Sequence, residues 1–212
     1  MTALEGPLGD AAAAALRGEL IVFPTDTVYG LGTRPDDPVA TARVFDAKRR
    51  PRDLELPVLV ATREAARRVA VLDERAERLA AVCWPGPLTL VLPRVADASG
   101  WDLGGDPGTV GVRVPHHPLA LTLLAGTGPL AVTSANRSGG RPAARCEELQ
   151  ALFGDDVAVY LCQEEPLDGV ASTVLDLAHG PASILREAAL PRGAIAELLP
   201  DEPSLLDSRP SS

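Results

Sequence analysis

Short apolar runs bounded by Gly, Pro or Asp recur along the chain: Leu20 to Phe23, Pro57 to Ala61, Leu88 to Leu92, Val110 to Val114, Leu130 to Thr133, Val157 to Leu161 and Thr173 to Leu177. Each has the length of a strand and falls short of the three turns that make a stable helix. Ser183 to Arg186 is a further strand candidate. Between the runs lie segments with helical spacing and Ala/Leu/Glu/Arg composition: Pro38 to Lys48, Arg63 to Val69, Asp73 to Val82, Pro118 to Leu124 and Cys146 to Phe153. Strands that alternate with helices predict an α/β domain.

With 212 residues, 46% of them apolar, the chain can build one sizeable core and is short for two. A single domain is therefore expected over residues 1–200. The stretch from Pro200 onward (PDEPSLLDSRPSS) is polar and proline-rich, so residues 201–212 are expected to be a frayed tail. Ala11 to Ala15 could suggest a targeting segment, but acidic Glu5 and Asp10 precede it and the run is too short for a membrane, so an N-terminal helix is expected. Cys83, Cys146 and Cys162 are odd in number and lack CxxC spacing, which argues against a disulfide framework and a zinc cage and favours a reducing cytoplasm.

Acidic side chains outnumber basic ones 29 to 20, giving a net charge of −9. Such a chain repels polyphosphate on average, so an anionic ligand needs a local cationic site. Aromatic residues, at 3%, are too few for the stacking platforms that bind single-stranded RNA.

Three segments carry candidate chemistry. Phe23 to Gly32 leaves a strand and brings together Thr25, Asp26, Thr27 and two glycines, suited either to a binding loop or to a turn whose polar side chains satisfy the local backbone. Lys48, Arg49, Arg50 and Arg52 cluster at a predicted helix C-terminus, where cations complement the helix dipole. The same cluster suits a polyphosphate, with Arg50 as a planar fork and Lys48 as a point charge. Thr133 to Gly140 follows a strand, at the carboxyl end where α/β sheets bind ligands, but it has neither the Walker order nor GxGxxG. Arg113 suits a ligand carboxylate or an internal partner such as Asp26 or Asp176. Trp84-Pro85-Gly86-Pro87 reads as a rigid turn with Trp84 packed beneath it. His116 and His117 lack metal-pair spacing and read as the lead-in to a helix, so no protein-held metal site is expected.

The segments PTDTVYGLG, Lys48-x-Arg50-Pro51, Trp84-Pro85-Gly86-Pro87-Leu88-Thr89, Val112-Arg113-x-Pro115, Ser134-x-Asn136 and Ser172-Thr173-Val174 occur in that order. From about Leu16 to Ala196 the chain thereby resembles the YrdC family of threonylcarbamoyl-AMP synthases. The resemblance implies a twisted, open, mixed sheet with flanking helices (a DHBP synthase-like fold) and a large positive cavity on one face. It implies that Lys48, Arg50, Ser134 and Asn136 converge on ATP and that Arg186 is a further nucleotide contact. Thr25, Thr27, Arg113, Thr133 and Ser172 match positions near threonine or the nucleotide. The implied reaction joins L-threonine, bicarbonate and ATP, with Mg2+ travelling on the ATP and Asp26 as a candidate outer contact to it. The product, threonylcarbamoyl-AMP, serves a transferase partner that modifies tRNA in the cytoplasm. The chain ends about where the catalytic domain of longer relatives does, so the short form is expected.

The sequence departs from the family pattern at Arg49, where Gly is usual, and around Leu54-Glu55-Leu56, where Asn-Pro is usual. A frequent His is absent near Val58 to Ala61, and Ala143 or Ala144 stands where Ser or Thr is common. Two rival readings keep the fold: a double-stranded RNA- or tRNA-binding protein, including direct contact with tRNA, and a paralogue that makes a different carbamoyl-adenylate.

Overall fold

The computed structural model describes residues 4–206. Its strands are β1 (Ile21–Phe23), β2 (Gly30–Thr33), β3 (Val58–Leu59), β4 (Leu88–Pro93), β5 (Thr109–Arg113), β6 (Leu130–Ser134), β7 (Val159–Tyr160), β8 (Thr173–Asp176) and β9 (Ser183–Arg186). They form one open, nine-stranded sheet in the order β7-β1-β2-β6-β3-β5-β4-β8-β9. Strand direction is mixed: β7/β1, β3/β5 and β4/β8 are parallel, and the other neighbours are antiparallel.

The helices are α1 (Gly6–Leu16), α2 (Pro38–Lys48), α3 (Arg63–Ala66), α4 (Glu74–Cys83), α5 (Pro118–Thr127), α6 (Cys146–Phe153), α7 (Arg192–Leu198) and α8 (Pro203–Leu206). Side-chain caps fix several starts. Asp37 accepts from Val39 N and Ala40 N to open α2, Thr62 from Ala65 N to open α3, and Asp73 from Ala76 N to open α4. None of the described helices is long and apolar enough to cross a membrane.

The sheet alternation divides the core in two. Leu88, Leu90 and Leu92 of β4, Val110 and Val112 of β5 and Leu175 of β8 face a large cluster with residues of α2, α4, α6 and α7. On the opposite face Ile21, Phe23, Leu59, Leu130 and Val132 pack with α1 and α5. These two helices cover only one half of that face. Over the other half Thr89, Val91, Gly111, Arg113, Val174 and Asp176 line an open cavity.

Most expected elements are present, with three corrections. The stretch that includes β2 was expected to be loop only, yet it is a central strand. A Cβ on Gly30 or Gly32 would lie 2.7 or 2.9 Å from a Val132 methyl, so close packing demands glycine where strand propensity disfavours it. The expected tail is ordered at least to α8. Leu205 is only 2% exposed, Glu202 accepts from Arg75 at 2.8 Å and from Ala182 N, and Ser204 Oγ donates to Ala182 O, so an apolar anchor and several polar bonds hold a segment whose composition looked unstructured. Residues 207–212 of that tail, and 1–3 at the other end, lie outside the described residues.

The third correction concerns the cysteines. Cys146 and Cys162 form a disulfide across a Cα–Cα distance of 5.5 Å. Helix α6 runs out from Cys146 and β7 returns beside it, which brings together residues 16 apart in sequence. Cys83 is the free thiol. Cysteine usage therefore gives no support to a reducing compartment.

Candidate active site

The cavity encloses about 450 Å³, within the range of small-molecule sites. Of the residues singled out from sequence, Thr25, Thr27, Arg50, Arg113, Thr133, Ser134, Ser172 and Arg186 all line it. They come from four places: the β1–β2 loop, the segment after α2, the ends of β5 and β6, and the β8–β9 edge.

In the β1–β2 loop, Thr25 Oγ1 donates to Val28 O at 2.6 Å, accepts from Thr27 N and Val28 N, and lies 3.0 Å from Thr27 Oγ1. The turn reading and the binding reading of this loop are thus compatible, because the internal bonds hold the loop against the cavity. Arg113 has its internal partners: Nη2 donates to Asp26 Oδ1 at 2.5 Å, Nη1 to Thr27 Oγ1 at 2.9 Å and Nε to Gly86 O at 2.9 Å. Asp26 Oδ1 also accepts from His116 N, so this one oxygen ties Arg113 to the chain after β5. Trp84 is buried and donates from Nε1 to Leu88 O at 2.7 Å, which pins the turn that leads into β4.

On the far side, Arg186 donates from Nε to Ser172 O at 2.9 Å and from Nη2 to Ser172 Oγ at 3.2 Å, and Ser172 Oγ lies 2.9 Å from Thr89 Oγ1. Thr173, the neighbouring hydroxyl, instead serves Leu190 O, Ala188 N and Leu190 N. Arg50 is tied by Nε to Leu54 O and by Nη2 to Glu55 O. Burial disfavours the charge on Arg50, Arg113 and Arg186 alike, and Arg186 adds like-charge repulsion to the other two, which Asp26 offsets at Arg113. Guanidiniums stay protonated under such pressure, so an anion in the cavity would relieve it.

The two remaining motif residues do not line the cavity. Lys48 is 1% exposed, with Nζ donating to Ser134 O and Asn136 O at 2.5 Å each and to Asn136 Oδ1 at 3.3 Å. Asn136 Nδ2 donates to Arg137 O and Gly140 O. Lys48 thereby fastens the end of α2 to the loop after β6, next to the cavity-lining Ser134. It holds Ser134 in place from behind. Burial, with Arg50 and Arg137 nearby, pushes its ammonium down to about 7, while the three acceptor oxygens work to keep the proton.

The cavity is not uniformly positive, as had been expected. The lining also includes Glu55, Asp106, Asp176 and His179, none of which sequence had marked as a site residue. His179 bridges Asp176 Oδ2 at 2.8 Å through Nδ1 and Asp106 Oδ2 at 3.2 Å through Nε2. Asp176 first, then Asp106, raises the imidazole pKa. Glu55 Oε1 accepts from Arg94 Nη2 at 3.1 Å, and burial pushes its carboxyl up to about 7 against the pull of Arg94. Glu55 had a signal in the sequence as part of the departure after Arg50, and Asp176 as a candidate partner of Arg113, whereas Asp106 and His179 had none. Among the described residues no three His, Cys, Asp or Glu side chains are grouped to hold a metal ion.

The Sua5/YciO/YrdC family model, described as telomere recombination, matches residues 13–188. A Mycobacterium tuberculosis protein carrying the provisional name threonylcarbamoyl-AMP synthase is 40% identical over 190 residues, which cover 89% of this chain and 87% of that one. The crystal structure of Pyrococcus abyssi Sua5 complexed with L-threonine superposes with a TM-score of 0.81 at 37% identity, over 89% of this chain and 56% of that longer one. Escherichia coli YciO superposes with a TM-score of 0.79 at 26% identity, over 86% of this chain and 89% of its own. With its fold, its ordered motifs and most of its length matched in this way, the chain belongs to the Sua5/YciO/YrdC family.

Proposed function

We propose that this chain is a threonylcarbamoyl-AMP synthase, forming threonylcarbamoyl-AMP and pyrophosphate from L-threonine, bicarbonate and ATP. The observation that carries the reading is the convergence of Arg50, Arg113 and Arg186 with the hydroxyls of Thr25, Thr27, Ser134 and Ser172 on one cavity of an otherwise acidic protein. The threonine-bound Pyrococcus abyssi relative supports an amino-acid substrate of this kind.

In the reaction, a carbamate oxygen attacks the α-phosphorus of ATP, and the bond to pyrophosphate breaks. Negative charge grows on the leaving group, so the protein's work is to hold two anions together and to stabilise that charge. Arg50 and Arg186 are placed for the phosphates. Arg113, pinned by Asp26, presents Thr27 toward the substrate. Magnesium enters as part of the ATP substrate, held mainly by phosphate oxygens and water, which requires no dedicated carboxylate cage. Downstream, the adenylate passes to a transferase that acts on tRNA, a setting that places the protein in the cytoplasm.

The direct test supplies ATP, magnesium, L-threonine and 13C-bicarbonate and identifies the product by mass spectrometry. Threonylcarbamoyl-AMP carrying the label is expected. An adenylate formed equally well without threonine, or only with another amino acid, would assign the chain to a different carbamoyl-adenylate.

A further inference from the structure

We propose that Glu55 is the base of this cavity, accepting the proton that the substrate's ammonium group must lose before it can bond to carbon. The inference rests on the synthase reading and adds a catalytic residue to it.

An ammonium has no lone pair, so carbamate formation begins with a proton transfer. The ammonium N–H proton passes to the Glu55 carboxylate, leaving a neutral amine and a carboxylic acid. The amine nitrogen then bonds to the bicarbonate carbon as water leaves, giving the carbamate. Atoms and charge balance: Glu55 takes the first ammonium proton, and the departing hydroxyl takes a second from nitrogen as the C–O bond breaks and leaves as water.

Glu55 is held by Arg94 at Oε1, whereas His179, Asp176 and Asp106 have both ring nitrogens or both carboxylate oxygens bound and the arginines cannot accept. Arg50, Arg113 and Arg186 have no acceptor atom. Both ring nitrogens of His179 are taken by carboxylates. Asp176 accepts from Ala178 N and His179, and Asp106 from Gly108 N and His179. Asp53 lies on the exposed rim of the cavity. Lys48 does not line the cavity, and its Nζ is bound to Ser134 O and Asn136 O.

Glu55 differs in its setting. Its side chain is 17% exposed, and Oε1 meets the buried Arg94, which also donates to Trp101 O and Thr109 O. Its Cβ lies against the backbone of Gly105, where an added Cβ would come within 2.9 Å. On the same loop, its carbonyl accepts from Arg50, so a base and an anion-binding cation are held a few bonds apart. Burial and the negative charge of Asp106 raise the carboxyl, while Arg94 and the Gly111 backbone lower it. The outcome, about 7, matches a base working at neutral pH.

The test is the pH profile of kcat/KM for threonine, read as pyrophosphate release at saturating ATP and bicarbonate, for the parent, Glu55→Gln and Glu55→Asp. The parent should rise through an apparent pKa of about 7. Glu55→Gln should be slower at pH 7 by about 10²- to 10³-fold, the scale of general-base catalysis, and should close on the parent as rising pH deprotonates the amine unaided. ATP affinity should be unchanged. Glu55→Asp keeps a charge for Arg94 and should retain the pH limb at a lower rate, which covers the case of a Gln variant that folds poorly. A Gln variant within about threefold of the parent at pH 7, or one slowed equally at every pH, overturns the role of Glu55 alone. A parent that releases no pyrophosphate with threonine overturns the synthase reading, and the role of Glu55 with it.

Discussion

The two walls of the cavity treat charge in opposite ways. On one wall Arg50, Arg113 and Arg186 press like charges together, with an ion pair to Asp26 at Arg113 and a longer-range pull from Asp53 at Arg50. On the other, His179 lies between Asp106 and Asp176, with one ring nitrogen on each carboxylate, and Glu55 meets Arg94. Uncompensated charge that the fold has gone to the cost of burying marks where a ligand of opposite sign belongs, whereas compensated charge marks wall. The same contrast divides one sequence motif: Lys48 is fully spent on Ser134 and Asn136, while two residues on, Arg50 faces open space.

The largest effect should come from the open wall. Arg50→Ala should lower kcat by about 10²- to 10³-fold, the cost of removing one donor aimed at developing charge, with little change in melting temperature. An Arg50→Ala variant that loses stability and keeps kcat would erase the distinction between the walls.

Lys48→Met sharpens it from behind. Three acceptor oxygens lose their donor, so unfolding by denaturant should show a loss on the order of 1–3 kcal/mol, with a raised KM for ATP as Ser134 loosens. A fall in kcat with stability and KM intact would instead put the ammonium on the substrate.

Arg49 offers a smaller change of opposite sign. It closes α2 in the left-handed region, at φ 51°, where the family's usual glycine carries no Cβ strain. Arg49→Gly should add about 1 kcal/mol of stability and leave turnover alone.

The smallest effect belongs to the compensated wall. The folded pKa of His179 is raised, so its contribution to stability is fully present below the unfolded value of 6.5 and is lost as pH rises through the folded value. The stability difference between the parent and His179→Gln should therefore shrink from pH 6 to pH 8. A difference that grows over this interval would mean that the imidazole is held neutral.

How legible each wall was in the sequence follows from the same contrast. The arginine wall sits in short ordered motifs at strand ends, so Arg50, Arg113 and Arg186 could be found by spacing and resemblance. The acid wall is assembled from the β3 lead-in, the loop before β5 and the turn after β8, and no local pattern ties Asp106 to His179 across a sequence separation of 73. Likewise the strands rich in Val and Leu were readable, but β2 was not, because Gly30 and Gly32 are chosen for their packing on Val132 rather than for strand propensity. The Cys146–Cys162 bond and the docking of Leu205 depend on chain return through three dimensions, which residue type and spacing do not encode.

The most direct measurement is pyrophosphate release from ATP with magnesium and bicarbonate, with and without L-threonine, in the parent and Arg50→Ala. Release that requires threonine and falls at least about a hundredfold in the variant is the expected result. Release indifferent to threonine, or undiminished without Arg50, would contradict the assignment of the open wall to the adenylation of threonine.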